Sequence, residues 1–447
     1  MAKKLYEESR IAAIAEKIRE KTGTDETYTT AEMPSGVEAV YEAGAASGGG
    51  AKVVEEKDVN FYDYDGTLLY SYTVVEAQAL TELPPAPTPK RDFLVFDEWN
   101  WTLEQIKEIN LPVNVGATYT TIDGSIYAVV NISDPDLKTI TLNFGIDGTS
   151  GLLCTLDWGD GETEELYYSN GNTFSHTHTY SSLGVYTIVL RSNYRYNIGK
   201  GNEMPFVDKS NKYVLKEVYL TNAYIQHSGL RYQAALECIN ISKEYPNITY
   251  STFISCNALK ALIFPATCKT IITSGVDEVS SLEVVSFPYS MEQIGYNTAG
   301  QSCIRQVTIP PKVTKVGLGN VRSLKRVFFA EGCKTLDAQF ADNAYALLKI
   351  DLPSTLTTMD VAALRNAKNL RTITIPVNVN SIQAQALSGC TSLQRIRFLP
   401  TTPPTVANAN AFSGIPTSCV VEVPAASLAA YQAATNYASI SAQMVGV

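Results

Sequence analysis

The chain has few of the residues that chemistry usually needs. Among 447 residues there are three histidines, and no two cysteines are spaced C-x-x-C. No Gly-x-Ser-x-Gly, Gly-rich phosphate loop or His-Glu-x-x-His string occurs, so neither an enzyme nor a cofactor is expected. Positive charge is also in deficit: 35 Lys and Arg face 45 Asp and Glu, giving a net charge of −10. That balance excludes a non-specific nucleic-acid partner, which requires a basic footprint. No run of about 18 apolar residues is present, so membrane insertion is not expected. The opening Met1-Ala-Lys-Lys-Leu-Tyr-Glu-Glu-Ser-Arg10 lacks the apolar core of a secretory signal, and Ala442–Val447 shows no anchoring pattern. The expectation is a chain made and kept in the cytoplasm, or released by a route other than standard secretion.

What is present is repetition. Nine times between Leu215 and Phe398 the chain writes leucine, two variable residues, an apolar residue, a variable residue, an apolar residue and usually proline. The copies with proline start at Leu259, Leu282, Ile304, Leu347 and Leu370; looser copies start at Leu215, Leu236, Leu324 and Leu393. Successive starts lie 20 to 23 residues apart, which reads as a leucine-rich solenoid whose units bury their apolar edges only by stacking. Cysteine follows the same period. Cys256 and Cys390 precede a unit start by three residues, where other units carry Val279, Val321, Ala344 and Ala367. Cys268 and Cys333 alternate with Met291, Val313, Leu356 and Val379. The thiols are therefore expected to be reduced and to act as small apolar core residues.

Before the repeats, residues 4–22 read as a helix, and a second short helix follows Met33-Pro34. Glu42–Ala51 is a flexible linker by composition. Val59–Val74 alternates as strands about an Asp65-Gly66 turn, a hairpin signal. Thr102 and Gln105 have capping-box spacing. Tyr119–Tyr127 reads as another hairpin, followed by strands over Thr139–Phe144, Leu156–Glu162 and the segment His178–Leu190. Trp158-Gly-Asp-Gly161, together with His178-Thr-Tyr180 and Tyr186-x-Ile188-x-Leu190, resembles a polycystic-kidney-disease (PKD) domain, which implies an immunoglobulin-like β-sandwich. The repeats resemble the Treponema-type (BspA-like) leucine-rich repeat, with Phe253-Ile-Ser-Cys256, Ala386–Cys390 and Ala411–Gly414 as its turn element and Val420–Tyr431 as a strand-plus-helix cap.

The fold class expected is mainly β and multidomain, with short N-terminal helices, a β-hairpin module, an immunoglobulin-like (PKD) β-sandwich and a C-terminal leucine-rich repeat solenoid. The corresponding boundaries are an N-terminal attachment or oligomerisation segment over 1–42, a linker over 43–52, a hairpin-plus-helix module over 53–112, the sandwich over 113–200 and the solenoid with its cap over 201–447.

Three constellations invite a chemical reading. Asp63-Tyr-Asp65-Gly-Thr67 resembles the first motif of haloacid-dehalogenase-like phosphatases, but no βα units follow it, and a hairpin turn accounts for the string. His176-x-His178 has metal-ligand alternation, yet His178 belongs to the PKD-like motif. Asp157, Asp160 and Glu162 form an acidic turn without EF-hand spacing. No catalytic, cofactor or metal site is expected. The candidate ligand face consists instead of outward strand positions that turn basic late in the solenoid: Arg305, Lys325, Arg326, Phe328, Lys349, Arg371, Arg395 and Arg397. Such a stripe suits a wall polymer or acidic glycan; a plainer reading is that Lys and Arg on the strands keep the sheet soluble.

The layout as a whole resembles tail-associated and receptor-binding proteins of phages and prophages of Gram-positive gut bacteria. The residues that carry this are Ile11–Gly23 with Met33-Pro34, Phe61–Thr67, Trp99-Asn-Trp-Thr-Leu103 and Gly116–Gly124. The resemblance implies a virion tail or baseplate protein, with its N-terminus on other tail proteins and its repeats facing a host-surface glycan, wall polymer or protein. A homo-oligomer, such as a trimer, formed through residues 4–41 is also expected, because so short a helical piece cannot bury a core alone and docks on a partner or on itself. A bacterial cell-surface adhesin built from the same modules is the alternative.

Overall fold

The computed structural model describes residues 58–167, 173–199, 204–296 and 298–447. The chain divides into two compact units, Met1–Glu56 and Lys57–Val447. The helices expected over residues 4–22 and after Met33-Pro34, and the linker, lie outside the described residues.

In the second unit, β1 (Val59–Tyr62) and β2 (Leu68–Tyr72) form the expected antiparallel hairpin. Gly66 sits at φ +88°, and its N–H donates to Asp63 O at 3.0 Å, closing the turn. A helix that the alternation did not announce follows, α1 (Val74–Ala79), capped reciprocally by Thr73 and Glu76. After β3 (Leu94–Trp99), the Thr102–Gln105 capping box opens α2 (Leu103–Ile109) as its spacing requires. With β4 (Val113–Thr121) these strands make a four-stranded sheet in the order β2-β1-β4-β3.

One sequence expectation fails here. Tyr119–Tyr127 is not a hairpin: β4 pairs with β1 and β3, whereas β5 (Ile126–Ile132) pairs with partners in a second sheet. The turn between them is tight, with Gly124 at φ +72° and Asp123 accepting from Ser125 N at 3.0 Å. Alternation shows that both segments are strands, but it carries no information about which neighbour each strand joins.

The sandwich is built from β5, β6 (Thr139–Ile146), β7 (Leu152–Asp157), β8 (Thr163–Tyr167), β9 (Thr173–Thr179), β10 (Gly184–Arg191) and β11 (Tyr196–Ile198). Trp158, Ile188 and Leu190 are fully buried between its sheets together with Ala128, Leu142 and Phe144, as the alternation requires. The first solenoid strands, β12 (Leu215–Tyr219), β13 (Ala223–Ile225) and β14 (Cys238–Asn240), extend these same sheets. One sheet runs β14-β12-β5-β10-β7-β8 and the other β13-β11-β6-β9. This explains why the Leu215 and Leu236 repeats are weak in sequence. The Leu215 strand pairs antiparallel onto β5 as well as stacking in the solenoid, and the Leu236 strand adds to it as the edge of the same sheet.

From Leu259 the coil is regular. Each turn gives one strand after the unit start and a second, two-residue strand after the proline position. The second set, from Thr270–Ile271 to Thr405–Val406, forms a seven-stranded parallel sheet. Between the two strand sets the chain reverses through residues at positive φ that recur with the repeat. Ser251, Ser274, Gln339, Ala362 and Gln385 form one column; Ser255, Glu278, Gln301, Asn343 and Asn366 form another. Asparagine is favoured at such positions, and here it also pairs along the stack: Asn366 Nδ2 donates to Asn343 Oδ1 at 2.9 Å, and Asn343 Nδ2 to Asn320 Oδ1 at 2.7 Å. The cysteine ladders are as expected. Cys256, Cys268, Cys333 and Cys390 are free and fully buried, and the Cys256 and Cys390 thiols donate to the carbonyls of Leu230 and Leu364 in the preceding turns. The array ends in strand Val420–Val423, helices α3 (Leu428–Ala433) and α4 (Ala438–Ser441), and a last strand, Met444–Gly446. Buried Tyr431 and Tyr437 seal that end by donating to Pro400 O and Pro404 O.

Candidate binding face

In each solenoid strand the leucine and the two apolar residues point inward, which leaves the intervening positions on the outer face. Over the units beginning at Leu259, Leu282, Ile304 and Leu324 that face is not open, because the sheet of residues 58–121 lies on it. Gly116 sits where a Cβ would stand 2.1 Å from Ile263 Cγ2, and Gly66 packs against Ala261. Asn100 is buried at the centre of this contact. Its Nδ2 donates to Phe264 O at 2.8 Å and Ser286 Oγ at 2.9 Å, and its Oδ1 accepts from Gly116 N at 2.7 Å. Trp101 Nε1 donates to Phe287 O at 2.8 Å, and Thr308 Oγ1 donates to Pro112 O. At the far edge the Arg326 guanidinium grips the Asp58 carboxylate with contacts of 2.9 and 3.2 Å.

The candidate stripe therefore divides. Phe328 is 7% exposed under the Arg326 guanidinium, and Arg326 itself is committed to Asp58. Arg305 and Lys325 are exposed at the border of the covered region. Lys349, Arg395 and Arg397 stand on open strand face beyond it, and Arg371 is exposed one residue ahead of its strand, Thr372–Ile375. Parallel register places Thr372 beside Arg395, Thr374 beside Arg397, and Arg397 beside Glu422. Arg395 Nε lies 3.2 Å from Glu422 Oε1, Arg397 Nε 3.8 Å from Oε2, and Lys349 Nζ 3.1 Å from Asp351. The cationic partners are exposed, and such pairs contribute only about 0–1 kcal/mol each. The backbone sites of Arg395 and Arg397, two residues apart on one strand, are spaced by about 6.7 Å, with the threonine-bearing strand about 4.8 Å away. Such a grid offers forked donors to sulfate, phosphate or carboxylate groups repeated along a polymer.

The other candidates have structural partners. Asp63 is buried, accepting from Tyr119 Oη at 2.7 Å and Tyr64 N at 2.9 Å, with Lys90 Nζ 3.2 Å away. Burial, reinforced by the Asp63 carboxylate, pushes the Tyr119 phenol well above its usual range. The Asp-x-Asp-Gly-Thr string thus forms a hairpin whose first carboxylate anchors β4. His176 pairs with Glu164 and His178 with Asp160, at 2.8 and 2.7 Å, and the His178 ring stacks on Trp158. Asp160 also caps Glu162 N. Among the described residues no cluster of three or more His, Cys, Asp or Glu is placed to hold a metal ion.

Sequence reading missed a groove of about 910 Å³ on the seven-stranded side, lined by Glu292, Tyr296, Lys312, Lys315 and Asp337 among others. It lies at the unit Ile304–Ser323, 20 residues long where its neighbours have 22 or 23, so the short spacing was the available signal. Its charges are largely paired: Lys315 with Asp337 at 3.1 Å and Glu292 with Lys269 at 3.0 Å.

Residues 211–320 and 318–417 match the family model described as the BspA type leucine-rich repeat region, in 6 copies. The solenoid is thus a leucine-rich repeat array of the BspA type. No curated protein matches the chain. Among solved structures, a leucine-rich repeat protein from Bacteroides ovatus is 20% identical with a TM-score of 0.38, over 47% of this chain and 61% of that one. One from Eubacterium ventriosum is 21% identical with a TM-score of 0.36, over 44% and 58%. A leucine-rich cell surface protein from Faecalibacterium prausnitzii is 17% identical with a TM-score of 0.24, over 48% and 80%. The chain therefore spans about three fifths of the first two.

Proposed function

We propose that the protein is a non-enzymatic adhesion protein of a bacterial surface, whose late solenoid strands bind an anionic surface glycan or wall polymer. One observation carries the reading. In an acidic chain, Lys349, Arg395 and Arg397 share the strand face that remains open, with Arg371 exposed at its margin, while the earlier strand face is covered by the chain's own residues 58–121. The sandwich is taken as a PKD-like spacer. Weak contacts suffice if several copies act together, because local concentration then replaces intrinsic affinity.

The test is biolayer interferometry of the whole chain against teichoic acid, an acidic glycan and neutral dextran across a salt series. Anionic polymers should bind with log affinity falling linearly in log salt. The double variant Arg371→Glu, Arg397→Glu should weaken binding at least tenfold. Equal binding to dextran, or an unaffected variant, would overturn the proposal.

A second reading, a virion tail or baseplate component that assembles as a homo-oligomer through residues 4–41, draws on the resemblance of Ile11–Gly23, Phe61–Thr67, Trp99–Leu103 and Gly116–Gly124 to tail-associated proteins. Mass spectrometry of gradient-purified particles, set beside protease shaving of intact cells, separates the two. A fixed ratio to tail proteins favours the virion; release from intact cells favours the cell surface. Sedimentation of the whole chain tests the oligomer, and a monodisperse monomer excludes it.

A further inference from the structure

Where the sandwich passes into the solenoid, Pro205, Lys209, Ser228, Arg231 and Tyr232 line a cavity of about 160 Å³. Three features set it apart from the solvated clefts elsewhere. Ser228 is 2% exposed and sits at φ +62°, and its hydroxyl has no hydrogen-bond partner. Arg231 Nε is likewise buried and unpartnered, although its guanidinium lies 4.4 Å over the Tyr232 ring. Among the described residues no carboxylate forms an ion pair with either Lys209 or Arg231. The nearest in sequence, Asp208, accepts instead from Ser210 N and Ser210 Oγ, at 2.9 and 2.8 Å.

The surrounding backbone is fixed. Ser228 N donates to Tyr250 O at 3.2 Å, and a Cβ on Gly229 would stand 2.5 Å from Ile198 O. Gln233 Nε2, fully buried, ties the segment down through Val207 O at 2.7 Å and Arg231 O at 3.3 Å. A buried donor without a partner is rare, and two on one small cavity call for an acceptor. Lysine and arginine have only donors to offer, so a group consisting of acceptors alone and bearing negative charge matches the lining. The volume falls well below the roughly 300–1,000 Å³ of sites for larger organic ligands, so one oxyanion group fits and a polymer segment does not.

We propose that this cavity binds a sulfate or phosphate group, with Arg231 and Lys209 supplying charge and Ser228 donating its hydroxyl. The group is either a free ion or an ester on a sugar. The site is independent of the basic strand face, which lies at the opposite end of the repeat sequence.

The experiment titrates the whole chain calorimetrically with inorganic phosphate, inorganic sulfate, glucose 6-phosphate and glucose 6-sulfate at low salt. Saturable binding is expected for at least one of them. Arg231→Gln should weaken it at least tenfold. Ser228→Gly, which relieves the left-handed backbone and so preserves folding, should weaken it severalfold. Lys368→Gln, at an exposed position outside both proposed sites, should leave it unchanged. Tighter binding of an ester than of the matching inorganic ion identifies a sugar-borne group, and equal binding identifies the free ion. Absence of saturable binding to all four probes, or binding unaltered in both Ser228→Gly and Arg231→Gln, would overturn the proposal.

Discussion

Asn100 and Asn343 show how much single amides contribute here. Asn100 satisfies Gly116 N, Phe264 O and Ser286 Oγ inside a contact that is closed to water. Asn100→Ala should therefore cost about 3 kcal/mol, because buried partners are left unmatched at roughly 1–3 kcal/mol each. Chemical denaturation measures it; a loss under about 1 kcal/mol would mean that water replaces the amide. Asn343 combines a left-handed backbone, φ +57°, with bonds to both neighbouring turns. Asn343→Ala should lose about 2 kcal/mol and Asn343→Gly distinctly less, since glycine restores the backbone freedom but not the bonds. Equal losses would show that backbone strain is negligible there. Gly116→Ala should cost about 1–3 kcal/mol by driving a methyl into Ile263. Arg326 and Phe328 mark the limit of reading at this scale. Both look like free strand positions, and the residue that meets Arg326 is Asp58, 268 positions away.

At the scale of elements, the solenoid was legible because each unit repeats its own evidence, and the β1–β2 hairpin because Asp65-Gly66 names its turn. The missed helix α1 and the misassigned Tyr119–Tyr127 turn have a common cause. Val74 continues an apolar alternation, and a strand's partner is chosen by distant segments rather than by its own pattern. The basic face was visible as columns of residues, but its covered half was not. The cysteine ladders yield a prediction of their own. Burial pushes the thiols of Cys256, Cys268, Cys333 and Cys390 up to about 12 from 9.0. Between those values the unfolded chain has released protons that the folded one still holds, so their contribution is complete below pH 9 and declines as pH rises toward 12. The melting temperature should fall over that window, and replacing all four by Ala or Val should flatten the fall. In the native protein at pH 8, a thiol-specific reagent should label exposed Cys303 rapidly and leave the four ladder thiols unmodified until unfolding.

Across the whole molecule, residues 58–121 close one half of the solenoid strand face and leave the basic half open, so reversal of Arg371 and Arg397 is expected to change binding without changing the melting temperature by more than a degree or two. On the proposed reading, recognition and stability occupy different stretches of the same strand columns. The shared sheets of sandwich and solenoid have a mechanical consequence. Because β12 pairs onto β5 and β13 onto β11, no linker separates the two parts. A tug on the distal repeats of an anchored molecule is carried by interstrand ladders and the packed core beneath them. Yielding then requires a stretch of sheet to give way together, so the protein should hold its length under flow and fail abruptly.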